Sequence, residues 1–132
     1  MQLAVIEMAR NILDIKDANS SEFSNCSNSI VGLMTEWSTS DNNKEKRTED
    51  SDLGGTMRLG SYEARLKKNS KIYSIYKNDI INERHRHRYE FNDAYYEQFN
   101  KHGMSASGVN PETKLVEAIE LLSHPWFVGV QY

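Results

Sequence analysis

The sequence has 132 residues, enough for one hydrophobic core and too few for two complete catalytic domains. Apolar residues make up 38% and the mean hydropathy is −0.71, so the core is either diluted by polar loops or belongs to an incomplete domain. Sixteen basic residues stand against nineteen acidic ones, and the net charge of −3 excludes a general attraction to nucleic acid or to an anionic membrane. No run approaches the roughly 20 apolar residues of a membrane span, and Met1-Gln2-Leu3-Ala4 lacks the charged start of a signal peptide, so a cytoplasmic location is expected. The single cysteine, Cys26, can make neither an internal disulfide nor a structural zinc site by itself.

In chain order, Met1 to Ile15 carries Met1, Val5, Met8, Ala9, Ile12 and Leu13 at three- and four-residue spacing, which predicts an amphipathic helix with no capping residue before it. Lys16 to Ser29 is rich in Asp, Asn and Ser and reads as a loop. Ile30 to Met34 then suits a short buried strand. Ser38 to Asp52 contains no apolar residue and eight charged ones, which predicts a polar surface loop. Leu53 to Gly60 places a short strand between glycines.

Ser70 to Lys77 spaces Ile72, Tyr73, Ile75 and Tyr76 as a short helix, and Asn92 to His102, with Asn92 or Asp93 as cap, predicts another. Strands are expected over Met104 to Val109, Leu115 to Leu122 and Trp126 to Tyr132, separated by turn signals at Asn110-Pro111 and His124-Pro125. The pattern points to an α/β fold: a mixed sheet with flanking helices, parallel at its start and with an antiparallel edge at its end.

The most unusual string is Arg84-His85-Arg86-His87-Arg88-Tyr89-Glu90. On one strand its arginines share one face and its histidines the other. Two histidines at i and i+2 are half of a metal site without obvious further ligands. The basic run is too short, in an acidic chain, for nucleic-acid binding. Three guanidinium forks suit a carboxylate or phosphate, or they pair with the chain's own acids. Cys26 has no glycine-bounded elbow and no basic neighbour to activate it. His124-Pro125-Trp126 reads as a turn with an aromatic anchor. Glu22, in a polar loop, reads as a solvated carboxylate unless a partner motif claims it.

Four strings in this order, Asp17 to Phe23, Asp52 to Gly60, Glu83 to Asn92 and His124 to Val128, resemble the CTP synthases. The resemblance covers essentially the whole chain and lies in their C-terminal class I glutamine amidotransferase domain, of α/β type. The ATP- and UTP-binding synthetase domain has no counterpart here. The resemblance implies that Met1-Gln2 matches the end of a nucleophile elbow whose cysteine lies three positions before Met1. It implies that Gln2, Glu22 and Arg88 bind L-glutamine, with Glu22 receiving its amino-acid moiety. It also implies that the histidine base and its orienting glutamate follow Tyr132.

A chain of these 132 residues is therefore expected to be an incomplete amidotransferase domain that holds no catalytic residue, needs no metal or cofactor of its own, and is inactive and poorly soluble by itself. ATP, Mg2+ and the activator GTP would belong to the complete enzyme, as would the synthetase domain as partner. Two alternatives stand beside the fragment: one piece of a split enzyme, and a non-catalytic module that binds glutamine or a partner.

Overall fold

A computed structural model describes residues 1–33 and 57–132. The expected end of the Ile30 to Met34 strand, the polar loop Ser38 to Asp52 and the start of the glycine-flanked strand lie outside the described residues.

The first helix, α1, spans Gln2–Asn11 and buries Val5, Met8 and Ala9 of the expected stripe together with Ile6, whereas Ile12, past its end, is exposed. Met1 caps it without a side-chain bond, and Ala4 N–H donates to the Met1 carbonyl at 3.0 Å. The helix ends four residues before the expected Ile15. Asp14 takes a left-handed φ of 58°, and Ile15 N–H turns back to the Ala9 carbonyl at 3.0 Å. Arg10 Nε donates to the Ala18 carbonyl at 2.7 Å, which holds the following loop against the helix.

Strands β1 (Asn19–Ser20), β2 (Ser29–Leu33) and β5 (Tyr89–Phe91) form a three-stranded sheet in the order β1-β2-β5. Strands β3 (Arg58–Leu66), β4 (Ile80–His87), β6 (Met104–Val109), β7 (Val116–Leu121) and β8 (Val128–Val130) form a second sheet in the order β4-β3-β6-β7-β8. The mixed α/β class stands, with a parallel pairing at its start and antiparallel strands at its end, and among the described residues the strands divide into two sheets rather than one. Among the described residues only the two-residue β1–β2 pairing is parallel.

The expected strand ending at Gly60 continues to Leu66. Ala64 and Leu66 are buried on one face, while Gly60, at φ 116°, occupies a backbone region that L-residues avoid. β3 pairs with β4 along eight residues but with β6 only at Arg65–Val109 and Leu66–Gly108. The β3–β4 ribbon therefore diverges from β6 and β7 toward Arg58.

Helix α2 (Lys71–Tyr76) has its N-cap at Ser70, and its first N–H groups are also taken by the buried Glu120 carboxylate, which accepts from Lys71 N at 3.0 Å and Ile72 N at 2.9 Å. Asn92 accepts from Ala94 N–H and starts a 3-10 turn (Asp93–Tyr95) leading into α3 (Tyr96–Lys101). One core joins α1 to Ile30, Val31, Phe91, Phe99, Met104, Val116 and Ile119. A smaller one places Ile72 against Ala64, Leu66, Ile81 and Ala118. Trp126 is 61% exposed, so the expected anchor is instead Phe127, which packs on the main core.

The start of α1 lies directly on β8. A Cβ added at Gly129 would stand 3.1 Å from Ile119 Cγ1 and 3.3 Å from Met1 Cα. Gly129→Ala is expected to push these segments apart and cost about 1–3 kcal/mol. A urea or thermal midpoint equal to that of the parent would contradict this close packing.

Candidate functional site

Of the three residues expected to bind glutamine, Arg88 lies beside β5 and Glu22 follows β1, toward the same end of the three-stranded sheet. Ser20 pairs with Val31 and Val31 with Phe91, while Leu33 pairs with Tyr89. Moving from the Ser20 row to the Leu33 row therefore leads along β1 into the turn that holds Glu22 and along β5 back to Tyr89, with Arg88 next.

Gln2, in the first turn of α1, reaches the same end. Its Nε2 donates to the Tyr89 carbonyl at 2.8 Å and to Gln131 Oε1 at 3.3 Å. Glu22 is exposed in the turn after β1, where its N–H donates to Ser20 Oγ at 3.2 Å. Among the described residues no hydrogen bond or ion pair joins Glu22 to Gln2 or to Arg88. Gln2 and the Arg88 segment are in contact, whereas Glu22 shares only their end of the sheet.

The arginine face is corrected. β4 ends at His87 and β5 begins at Tyr89, so Arg88 occupies the break between two strands of different sheets. Arg84 and Arg86 keep the alternation and are exposed, but Arg88 is half-buried and its Nε has no hydrogen-bond partner among the described residues. Arg88 is therefore not a member of the strand on which Arg84 and Arg86 alternate.

The histidine face is buried in a polar cluster that fills the gap left by the diverging ribbon. Arg58, at the start of β3, places Nη1 3.2 Å from Glu90 Oε1 and 2.7 Å from Glu117 Oε1; both carboxylates are essentially inaccessible. The Glu117 contact is a charge pair without hydrogen-bond alignment. The guanidinium carbon sits 4.4 Å from the centroid of the Tyr62 ring. His87 Nε2 lies 2.8 Å from Glu90 Oε1, and His85 Nδ1 lies 3.6 Å from Glu117 Oε2. The ring of Tyr132 meets His85 edge-on at 5.7 Å.

Burial, and after it the charge of Arg58, lowers the His85 pKa to about 4, so the imidazole is neutral near pH 7. Burial also raises the pKa of Glu117, with Arg58 opposing that shift. Among the described residues no three His, Cys, Asp or Glu side chains converge as a cation site, and His85 and His87 each face a carboxylate instead.

Gln131, Arg58 and Glu117 were not singled out in the sequence, and Glu90 only as the end of the arginine and histidine string. The available signal was a carboxylate inside an apolar run: Glu117 stands in Leu115-Val116-Glu117-Ala118-Ile119, and five consecutive positions of β7 are buried. Such a residue needs a buried partner. Cys26 is half-buried with its Sγ 3.4 Å from Ser29 Oγ, and the described ion pairs place no cation beside it. No helix of the described residues is long and apolar enough to cross a membrane.

A helix start, a strand break and a strand end thus meet at one polar corner of a mixed α/β fold. The family model described as "Glutamine amidotransferase class-I" matches residues 1–132, and the chain belongs to that family. It is 59% identical over 132 residues to the CTP synthase of Pelagibacter ubique (strain HTCC1062) and 54% identical to that of Paramagnetospirillum magneticum (strain ATCC 700264 / AMB-1). Each match covers 100% of this chain and 24% of the relative, so the chain spans about a quarter of the length of these proteins. The structure described as Trypanosoma brucei CTPS glutaminase domain with bound acivicin superposes with a TM-score of 0.80 at 37% identity, over 100% of this chain and 48% of that one. The chain matches the glutaminase domain of CTP synthase, in part.

His85 gives a pH prediction. Its folded pKa lies below the ordinary value of about 6.5, so the unfolded chain takes up the proton first as pH falls, and stability is lost between about pH 6.5 and 4. Glu117, displaced upward, works in the opposite direction. The difference between the parent and a His85→Gln variant isolates the histidine: the parent is expected to lose up to about 3 kcal/mol relative to the variant over that window. Urea titrations of both near pH 7 and near pH 4 measure it, and parallel losses would contradict the assignment.

Proposed function

We propose that this chain is the glutamine-binding part of a CTP synthase glutaminase domain, in which Gln2, Glu22 and Arg88 hold L-glutamine. The observation that carries the reading is the meeting of Gln2, Tyr89 and Gln131 through Gln2 Nε2 at 2.8 and 3.3 Å. A nucleophile just before Met1 and a base just after Tyr132 would then flank one site. The half-buried Arg88, whose Nε has no partner among the described residues, suits a substrate carboxylate, for which a guanidinium offers two parallel N–H donors. Glu22 is the acceptor for the substrate ammonium.

In the complete enzyme a cysteine thiolate adds to the side-chain amide carbon and the histidine delivers a proton to the departing nitrogen. Ammonia leaves a thioester, which water hydrolyses to glutamate. The ammonia would aminate UTP to CTP at the expense of ATP in a synthetase domain, with Mg2+ and GTP serving the whole enzyme. In this reading residues 1–132 are one incomplete domain that works with the remainder of the synthase. This chain's residues bind and orient glutamine; they supply neither the attacking sulfur nor the proton carrier. A non-catalytic glutamine-binding module is the second reading, and it rests on the same corner.

Two outcomes are expected. A polypeptide of these 132 residues alone should release no ammonia from glutamine above background, because Cys26 has neither an elbow nor a base; catalysed release would refute the assignment. In the complete synthase, Arg88→Met should raise the KM for glutamine about 10- to 100-fold, the worth of a charged hydrogen bond. CTP formation from free ammonia should be retained. An unchanged KM would remove Arg88 from the site.

A further inference from the structure

Glu90 is the point where the buried charge cluster touches the glutamine corner. Its Oε1 accepts from Arg58 Nη1 at 3.2 Å and lies 2.8 Å from His87 Nε2, and its Oε2 accepts from Gln131 Nε2 at 3.1 Å. Gln131 Oε1 in turn accepts from Gln2 Nε2, which also donates to the Tyr89 carbonyl. A carboxylate that only accepts fixes the sense of this chain of bonds. Gln131 must turn its NH2 toward Glu90, so its oxygen faces Gln2 and Gln2 must present its own NH2.

The consequence is positional. Gln131 lies just beyond β8, and Gln2 in the first turn of α1, segments that belong to opposite ends of the sequence. Gln131 N–H also bonds the Glu117 carbonyl at 2.9 Å, so the backbone and the side chain of this residue are both anchored. Arg58 and Glu117 place the hub on β3 and β7, while Glu90 itself belongs to β5. Glu90 is therefore held from the large sheet and holds the small sheet's corner.

We propose that Glu90 is a positioning residue for glutamine hydrolysis: its carboxylate, locked by Arg58 and His87, orients Gln131 and through it Gln2, and so sets the separation of the two segments between which glutamine reacts. This rests on the glutamine-site reading above. Glu90 touches neither substrate nor reacting atoms in this role. Its effect falls on the alignment of attack, where a displacement of about 1 Å can cost on the order of 100-fold in rate.

The test uses the complete synthase, with glutamine and free ammonia as alternative nitrogen donors. Glu90→Gln, which can donate where the carboxylate only accepts, should lower glutamine-dependent kcat roughly 10- to 100-fold and leave the KM for glutamine nearly unchanged. Ammonia-dependent CTP formation should be retained. Because Glu90→Gln also leaves Arg58 less well paired and could fail to fold, Gln131→Met is the second variant. It cuts the chain of bonds beyond the buried cluster and should give the same split of kcat from KM.

The double variant should be no worse than the poorer single one, since both act through one chain of bonds. Parental glutamine-dependent kcat in Gln131→Met, or an equal fall of the glutamine and ammonia reactions in both variants, would overturn the proposal. If Arg88→Met alone raises the KM, the glutamine site stands and only the role of Glu90 fails. If Arg88→Met is also without effect, the site reading falls and this proposal with it.

Discussion

The fold is organised around one buried guanidinium. Arg58 lies between Glu90 and Glu117, against the face of Tyr62, where β3 and β4 have separated from β6 and β7. Removing such charges from water is costly, and the mutual attraction repays that cost only when each partner is held in place. Here Arg58 and Glu117 come from β3 and β7 of one sheet and Glu90 from β5 of the other, so the two sheets must dock correctly before Glu90 meets its cation. The cluster contributes less as net stabilisation than as a requirement for one particular docking of the sheets. A misdocked arrangement would bury carboxylates without their cation, a penalty of several kcal/mol.

That requirement passes to the corner where glutamine is proposed to bind. Glu90 lies on β5, the short strand that follows the break at Arg88, and its second oxygen holds Gln131. The same strand thus faces the charge cluster with Glu90 and offers the Tyr89 carbonyl to Gln2. The apolar packing around α1 is close on this side as well, since Gly129 leaves only the room of a hydrogen between β8 and Met1. Polar direction and steric contact therefore fix the same pair of segments. The exposed alternation of Arg84 and Arg86 belongs to the other face of the ribbon and plays no part in that contact.

Titration follows from the same geometry. His85 is neutral because the space it occupies is dry and a cation stands nearby, while at Glu117 the same burial raises the pKa and the charge of Arg58 opposes that shift. The two histidines that looked like half of a metal site face Glu117 and Glu90, and so serve as neighbours of carboxylates. The long polar string is divided among different environments because β4 ends at His87 and β5, in the other sheet, begins at Tyr89.

The sequence by itself determined what local periodicity can carry. The helix at the start of the chain, the short helix after Ser70, the Asn92 cap and the strand Met104–Val109 follow from side-chain spacing and from polar groups that bond their own backbone. The four strings that resemble CTP synthases also pointed to the amidotransferase family. The second half of β3 was legible in principle, since Tyr62, Ala64 and Leu66 alternate, but Ala is a weak apolar signal and Gly60 looked like an end. Only the tertiary structure decided that the described strands form two sheets, that Arg88 falls in the break between them, and that Arg58, Glu90, Glu117 and Gln131 meet. Those contacts join residues up to 59 positions apart between Arg58 and Glu117, a separation across which no spacing rule acts. They are fixed by the cost of leaving buried charges unpaired, which is a property of the packed molecule and not of any segment of the chain.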